Sequence, residues 1–293
     1  MQRTNNSGMG FAFVAALGLL GVLGAGSSLG ADKRDDDQND KVRVIGLTED
    51  GRLVRFRASS PRNARDIGAV SSLSGNDTVL IGIDFRVQDG NLYGVGNGGG
   101  VYTIDTATAR ARFVNALTVP LSGTVFGVDF NPAADRLRII SDTGQNLAHN
   151  VNAGGVTVEN AMLTYTAPPN TPVPATGLSG AAYTNNDVTP AGAPTATTLF
   201  DVDTTLDQIV IQSPPGNGIL VAAGKLGFDA GPSAGLDIYS QVERGVTVAN
   251  NAFATLSVNG NYYFYRVNLT TGRAMLIAGF DDRVFDIAIP LNQ

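Results

Sequence analysis

Three aspartates recur in one setting: Asp84 in "GIDF", Asp129 in "GVDF" and Asp237 in "GLDIY". Carboxylates repeated in this way and brought to one point could hold a hard cation such as calcium through oxygen ligands. They could also accept hydrogen bonds from backbone N–H groups of a neighbouring repeat, since a recurring element usually serves packing between repeats. The second reading is favoured. The expectation is no metal and no cofactor, with calcium at Asp84, Asp129 and Asp237 as the alternative.

The other candidate constellations are weaker. "DVDTTLD" (Asp201 to Asp207) has spaced carboxylates but not the glycine and bidentate glutamate of a calcium loop. Arg136 and Arg138 alternate along one strand among Asp129, Asp135 and Asp142, which suggests an ion network between structural units rather than a substrate clamp. His149 is the single histidine, so a histidine-dependent triad would have to rest on it alone, and none is expected. "GVGNGG" (Gly94 to Gly99) fits a dinucleotide fingerprint in letters only, because a strand-like "VYTIDT" follows where a helix is required.

Composition narrows the classes further. The chain has 293 residues, no cysteine and a formal net charge of -6. Disulfides, thiolate metal sites and thiol nucleophiles are therefore excluded. No basic run is present to track phosphates, so nucleic acid is not an expected partner. Arg3 followed by the apolar "FAFVAALGLLGVLGAG" and small residues reads as a secretory signal over residues 1–30, cut near Gly30. The apolar run is short of the ~20 residues a membrane span needs, which disfavours an uncleaved anchor. Residues 31–41 form a charged linker, and residues 42–293 a single domain. The expected location is secreted, periplasmic or cell-surface, with no membrane attachment after cleavage.

The elements that must position these residues are short β-runs punctuated by turns, with no helical period. "GIDFRVQDGNLYGV" (Gly82 to Val95) lies over "GVDFNPAADRLRII" (Gly127 to Ile140) without a gap. Looser copies of the opening strand are "GAAY" (Gly180 to Tyr183) and "GLDIY" (Gly235 to Tyr239). Roughly 45–55 residues per four-stranded unit is the signature of a propeller blade. The C-terminal "FDIAIPL" begins a unit that has no following strands, while the N-terminal "VRVIGLT", "RLVRFRA" and "RDIGAV" lack a first strand. Pairing the two ends predicts an all-β, single-domain propeller of five four-stranded blades closed by both termini.

On such a scaffold, function usually sits on loops. Turns between second and third strands share a face with the connectors between blades. That face collects Asp50, Asp77, Asp142, Gln145, Asn146 and Asp282, a rim rich in acids and amides and poor in aromatics. The favoured function is a non-catalytic binding or scaffold module using this face around the channel mouth, for a polar extracellular partner or glycan. The protein is expected to be a monomer. The alternative is an extracellular hydrolase or lyase that uses carboxylates or a metal.

"GVDFNPAADRLRIISDTGQNL" (Gly127 to Leu147), "GLSGAAYTNND" (Gly177 to Asp187), "TTLFDVDTTLDQIVIQSPP" (Thr197 to Pro215) and "GLDIY" together resemble the bacterial family called domain of unknown function 4394. The resemblance runs from Val44 to Ile289. It implies a secreted, propeller-like bacterial protein and brings no activity with it. "NLAHN" departs from the family pattern by placing Ala148 where the resemblance leads one to expect arginine.

Overall fold

The computed structural model describes residues 41–187, 196–291 and 293, and these fold as a ring of five antiparallel blades. The expected signal segment, and the charged linker apart from Lys41, lie outside the described residues. Blade one takes β1 (Arg43–Thr48), β2 (Arg52–Arg57) and β3 (Arg65–Ala69) from the N-terminal side. Blade two comprises β4 (Leu80–Phe85), β5 (Leu92–Gly96), β6 (Gly100–Ile104) and β7 (Ala111–Ala116). Blade three comprises β8 (Phe126–Asn131), β9 (Arg136–Ser141), β10 (Asn146–His149) and β11 (Thr157–Glu159).

A hairpin of β12 (Thr164–Ala167) and β13 (Thr171–Pro174) then precedes blade four. That blade holds β14 (Leu178–Tyr183), β15 (Leu199–Asp203), β16 (Gln208–Gln212) and β17 (Ile219–Lys225). Blade five holds β18 (Ala234–Glu243), β19 (Val246–Val258), β20 (Asn261–Val267) and β21 (Ala274–Gly279), and β22 (Val284–Ala288) ends the series. β22 pairs with β1 in register Ile45↔Ala288 and Gly46↔Ile287, so it is the innermost strand of blade one and closes the ring.

Ala167 to Thr176 stand where a connector between blades is expected. Instead, β12 pairs in parallel with β17 and carries β13 outside it, extending the sheet of blade four to six strands. Pro172 and Pro174 sit in that outermost strand, where a missing N–H interrupts no ladder.

Packing explains the ring. The apolar residues form five clusters, and each fills one junction between consecutive blades. The blade one–two junction, for example, holds Leu47, Leu53, Ile83 and Tyr102, while the five–one junction stacks Phe253 on Phe264 against Phe56. The glycine of the recurring G-x-D motif is required at the axis, where innermost strands converge. A Cβ on Gly127 would lie 2.8 Å from the backbone nitrogen of Ala181 in blade four, and one on Gly235 would lie 2.7 Å from Cα of Asp286. Any side chain there would push adjacent blades apart.

Candidate functional site

The recurring aspartates converge on the axis, where Asp84, Asp129 and Asp237 each offer an oxygen within 4.8 Å of the others. A fourth joins them: Asp286 of β22 is also buried. It occupies the equivalent place in blade one, but Val284 replaces the motif's glycine, and aligning "VFD" with "GxD" would have revealed it. Blade four alone departs, with Ala182 at this position.

Each carboxylate reaches the innermost strand of the following blade. Asp286 accepts the amide of Ile83 at 2.8 Å, Asp84 that of Phe130 at 2.7 Å, Asp129 that of Tyr183 at 3.0 Å, and Asp237 that of Ile289 at 2.5 Å. The four therefore staple four of the five junctions. The junction without a staple, between blades four and five, is packed by an apolar cluster that includes Ala182, Leu236 and Ile238. Burial pushes all four carboxyls up from the usual range, Asp237 to about 7, and the neighbouring Asp charges add to this at Asp84, Asp129 and Asp286. Such an oxygen set has the chemistry of a hard-cation site, but backbone donors already engage both oxygens of Asp84 and Asp237 and one each of Asp129 and Asp286.

The remaining candidates are structural in their contacts. His149 is fully buried, with Nδ1 3.0 Å from Thr157 Oγ1 and Nε2 2.9 Å from Asn115 Oδ1. Burial, helped by the Arg136 charge, lowers its pKa to about 4, so the ring is neutral at pH 7. The arginine–carboxylate network expected around Arg136 and Arg138 does not form among the described residues. Arg136 bonds to the carbonyls of Ala134 and Asp135, while Arg138 is buried against Asn146, Asn160 and Tyr183. The ion network lies one blade away, where Arg86 bridges Asp89 and Asp135. Its partner Asp135 turns back in the loop after β8, a reversal that strand alternation alone does not show.

Asp201 stands apart: it is fully buried in β15 and neither carboxylate oxygen meets a hydrogen-bond partner among the described residues. Burial raises its pKa well above the usual range, against the opposing pull of Arg138.

The loop-face candidates divide into two groups. Asp50 and Asp282 are exposed, Asp50 accepting the Thr48 hydroxyl at 2.5 Å. The others are clamps. Asp77 accepts the amides of Gly98 and Gly100 and the Tyr102 hydroxyl, tying a connector to the "GNGGG" turn. Asp142 accepts the amide and hydroxyl of Thr124, at 2.9 and 2.7 Å. Gln145 binds the amide of Ser122 and the carbonyl of Pro120. Asn146 is only 1 % exposed and bridges Arg138 to the carbonyls of Ala161 and Pro215. Gln145 and Asn146 are thus buried between loops rather than displayed on a rim, because a turn that folds over a connector must satisfy that connector's backbone.

Held by these clamps is a cavity of about 640 Å³ at the channel mouth. The residues that begin the innermost strands line it, among them Val79, Val125, Phe126, Pro232 and Phe285, with Thr124, Ser233 and Ser257 between them. Its edge carries Glu49, which accepts hydrogen bonds from Arg283 and, at 2.7 Å, from Tyr262. The Arg283 hydrogen bonds hold the Glu49 carboxyl below its usual range, and the guanidinium lies 5.5 Å from the Tyr262 ring centre. Ser257 Oγ is buried without a partner among the described residues. The lining is more apolar than the loop composition suggested, because strand starts, not loop tips, form the wall.

Fold and axis together define a five-bladed β-propeller with a carboxylate-stapled core. The chain belongs to the family described as "Domain of unknown function (DUF4394)", whose model matches residues 52–288. No curated protein matches. Among solved structures, an auxiliary nutrient binding protein from Bacteroides thetaiotaomicron is similar at 14 % identity and a TM-score of 0.42, over 72 % of this chain and 55 % of that one. A protein of the same description from Bacteroides ovatus is similar at 14 % identity and 0.40, over 78 % and 57 %. A protein of unknown function from Bacteroides thetaiotaomicron is similar at 9 % and 0.41, over 84 % and 66 %. The chain spans little more than half the length of the first two.

Proposed function

We propose that this protein is an exported, non-catalytic binding propeller that takes its ligand in the pocket at the channel mouth. The observation that carries the reading is the cavity itself. Its volume of about 640 Å³ falls within the usual range for small-ligand sites, and its wall combines apolar strand starts with a few polar groups. A saccharide suits that lining: ring C–H faces would meet Phe285 and Val79, and hydroxyls would meet Glu49, Arg283 and Thr124.

The hydrolase or lyase reading is less well supported. Glu49 is the carboxylate in the pocket wall, and its bonds to Arg283 and Tyr262 favour the ionised form, which disqualifies it as a general acid near neutral pH. The stapling aspartates bond to backbone amides and do not line the cavity. Export rests on the N-terminal charge and apolar run, and N-terminal analysis of the mature protein should find a start near Gly30 to Asp32.

The test of binding is a thermal-shift panel of neutral and acidic oligosaccharides against the wild type and a plugged variant, Val79→Trp with Thr124→Trp. A saccharide that raises the melting temperature of the wild type alone, with no product released, is the expected result. A shift that persists in the plugged variant would move the site elsewhere, and turnover would restore the enzyme reading.

A further inference from the structure

The opposite face of blade one gathers four arginines that are scattered in the sequence. Arg43 stands directly across from Arg57 on the paired strands β1 and β2, and Arg55 directly across from Arg65 on β2 and β3. Arg55 and Arg57 are two residues apart on one strand, so all four share a face. They line a groove of about 560 Å³ with Ser60 and Asn63. This groove lies at the strand ends remote from the channel mouth, since Arg43 begins β1 whereas Thr48 and Glu49 at its other end line the mouth pocket.

Like charges placed directly opposite on adjacent strands are destabilising, and here two such pairs adjoin. Among the described residues no carboxylate pairs with them. The four side chains are exposed, and none of their guanidiniums makes an ion pair or hydrogen bond among the described residues. Nearby Asp66 is taken by Arg52. The two pairs are offset by two residues along the strands and by one strand spacing across them, which puts their centres about 8 Å apart. Guanidiniums bind carboxylate, sulfate and phosphate through paired N–H donors, which suits them to oxyanions over other ligands.

We propose that this groove is a second ligand site, for a compact anion bearing two oxyanion groups about 8 Å apart. The size of the groove and the formal net charge of -6 on the chain favour a small polyanion over an extended one, which would run onto surface of its own sign. Ser60 and Asn63 add hydroxyl and amide contacts at the groove's edge.

The test is titration calorimetry on the full chain at low ionic strength with digalacturonate, a disulfated disaccharide and inorganic triphosphate, and with lactose as the uncharged control. Saturable binding of one or more of the anions, absent for lactose, is expected, and the three arms identify which oxyanion fits. Arg43→Gln with Arg57→Gln, and separately Arg55→Gln with Arg65→Gln, should each weaken binding at least ~10-fold. The plugged mouth variant should bind as the wild type does, which separates this site from the one proposed above. Without ligand, both arginine variants should melt at or above the wild-type temperature, because repulsion is relieved. No saturable binding to any anion, binding unchanged in the arginine variants, lower melting temperatures in them, or binding only to anionic lipid vesicles would each overturn the assignment.

Discussion

Asp129 in blade three accepts the backbone amide of Tyr183 in blade four at 3.0 Å, joining residues 54 positions apart across a blade junction. The same contact recurs at three other junctions, so it is a repeating device of the ring. Removing the acceptor should leave a buried N–H unpaired. Asp129→Ala is expected to cost about 1–3 kcal/mol in denaturant unfolding, while Asp129→Asn, which retains an acceptor oxygen, should cost much less. Melting temperature should be the same with calcium and with a chelator. A calcium-dependent rise abolished by Asp129→Ala would instead place a cation among these carboxylates.

The pH dependence follows from the direction of the shifts. Asp84, Asp129, Asp201, Asp237 and Asp286 all have folded pKa values above the unfolded value, so the folded state binds more protons than the unfolded chain. Their contribution is complete below the unfolded pKa of about 3.9 and is lost as pH rises through the folded values, about 7 for Asp237. Melting temperature should therefore be higher near pH 5.5 than near pH 8, and Asp237→Asn with Asp201→Asn should flatten the slope. His149, held down to about 4, opposes the trend below its unfolded value near 6.5, and below pH 4 the trend reverses as Glu49 and Asp135, whose values are lowered, lose their partners on protonation. A melting temperature that rises steadily from pH 5.5 to 8 would contradict this assignment.

Asp142 and Gln145 hold the connector that carries Thr124 into the pocket wall. The double variant Asp142→Ala, Gln145→Ala should be less stable by about 1–3 kcal/mol, since Gln145 is buried and its two partners are backbone groups. Hydrogen exchange should rise locally over residues 120–125. Stability and exchange both unchanged would show that the connector is held by other means.

Ring closure depends on β22. Deleting Arg283 to Gln293 removes the innermost strand of blade one, the Asp286 staple and Ile287 from the core, and leaves β1 as an open edge. Aggregation or a large loss of melting temperature is expected, and light scattering would detect the former. A monomeric truncated chain with an unchanged melt would contradict the closed ring.

The architecture was legible in the residues because a blade repeats both its strand periodicity and its turns. The G-x-D motif marks the innermost strand, and an orphan first strand at one end matched three followers at the other. The convergence of Asp84, Asp129 and Asp237 could be expected from the same repeat, although Asp286 was hidden by Val284 in the glycine position.

The site was less legible, because burial at a propeller's ends depends on how loops fold over one another. Asp142 and Gln145 read as displayed rim groups, yet the connector beside them claims their polar atoms. The sequence by itself determined the ring, its order and three of the four aspartates at its axis, through local alternation and repetition. Only the tertiary structure decided that Asn146 is buried, that Val79, Phe126 and Phe285 meet in one pocket, and that four dispersed arginines share a groove. Those are contacts between blades and across strand pairs, and they are set by register and packing that no single stretch of chain contains.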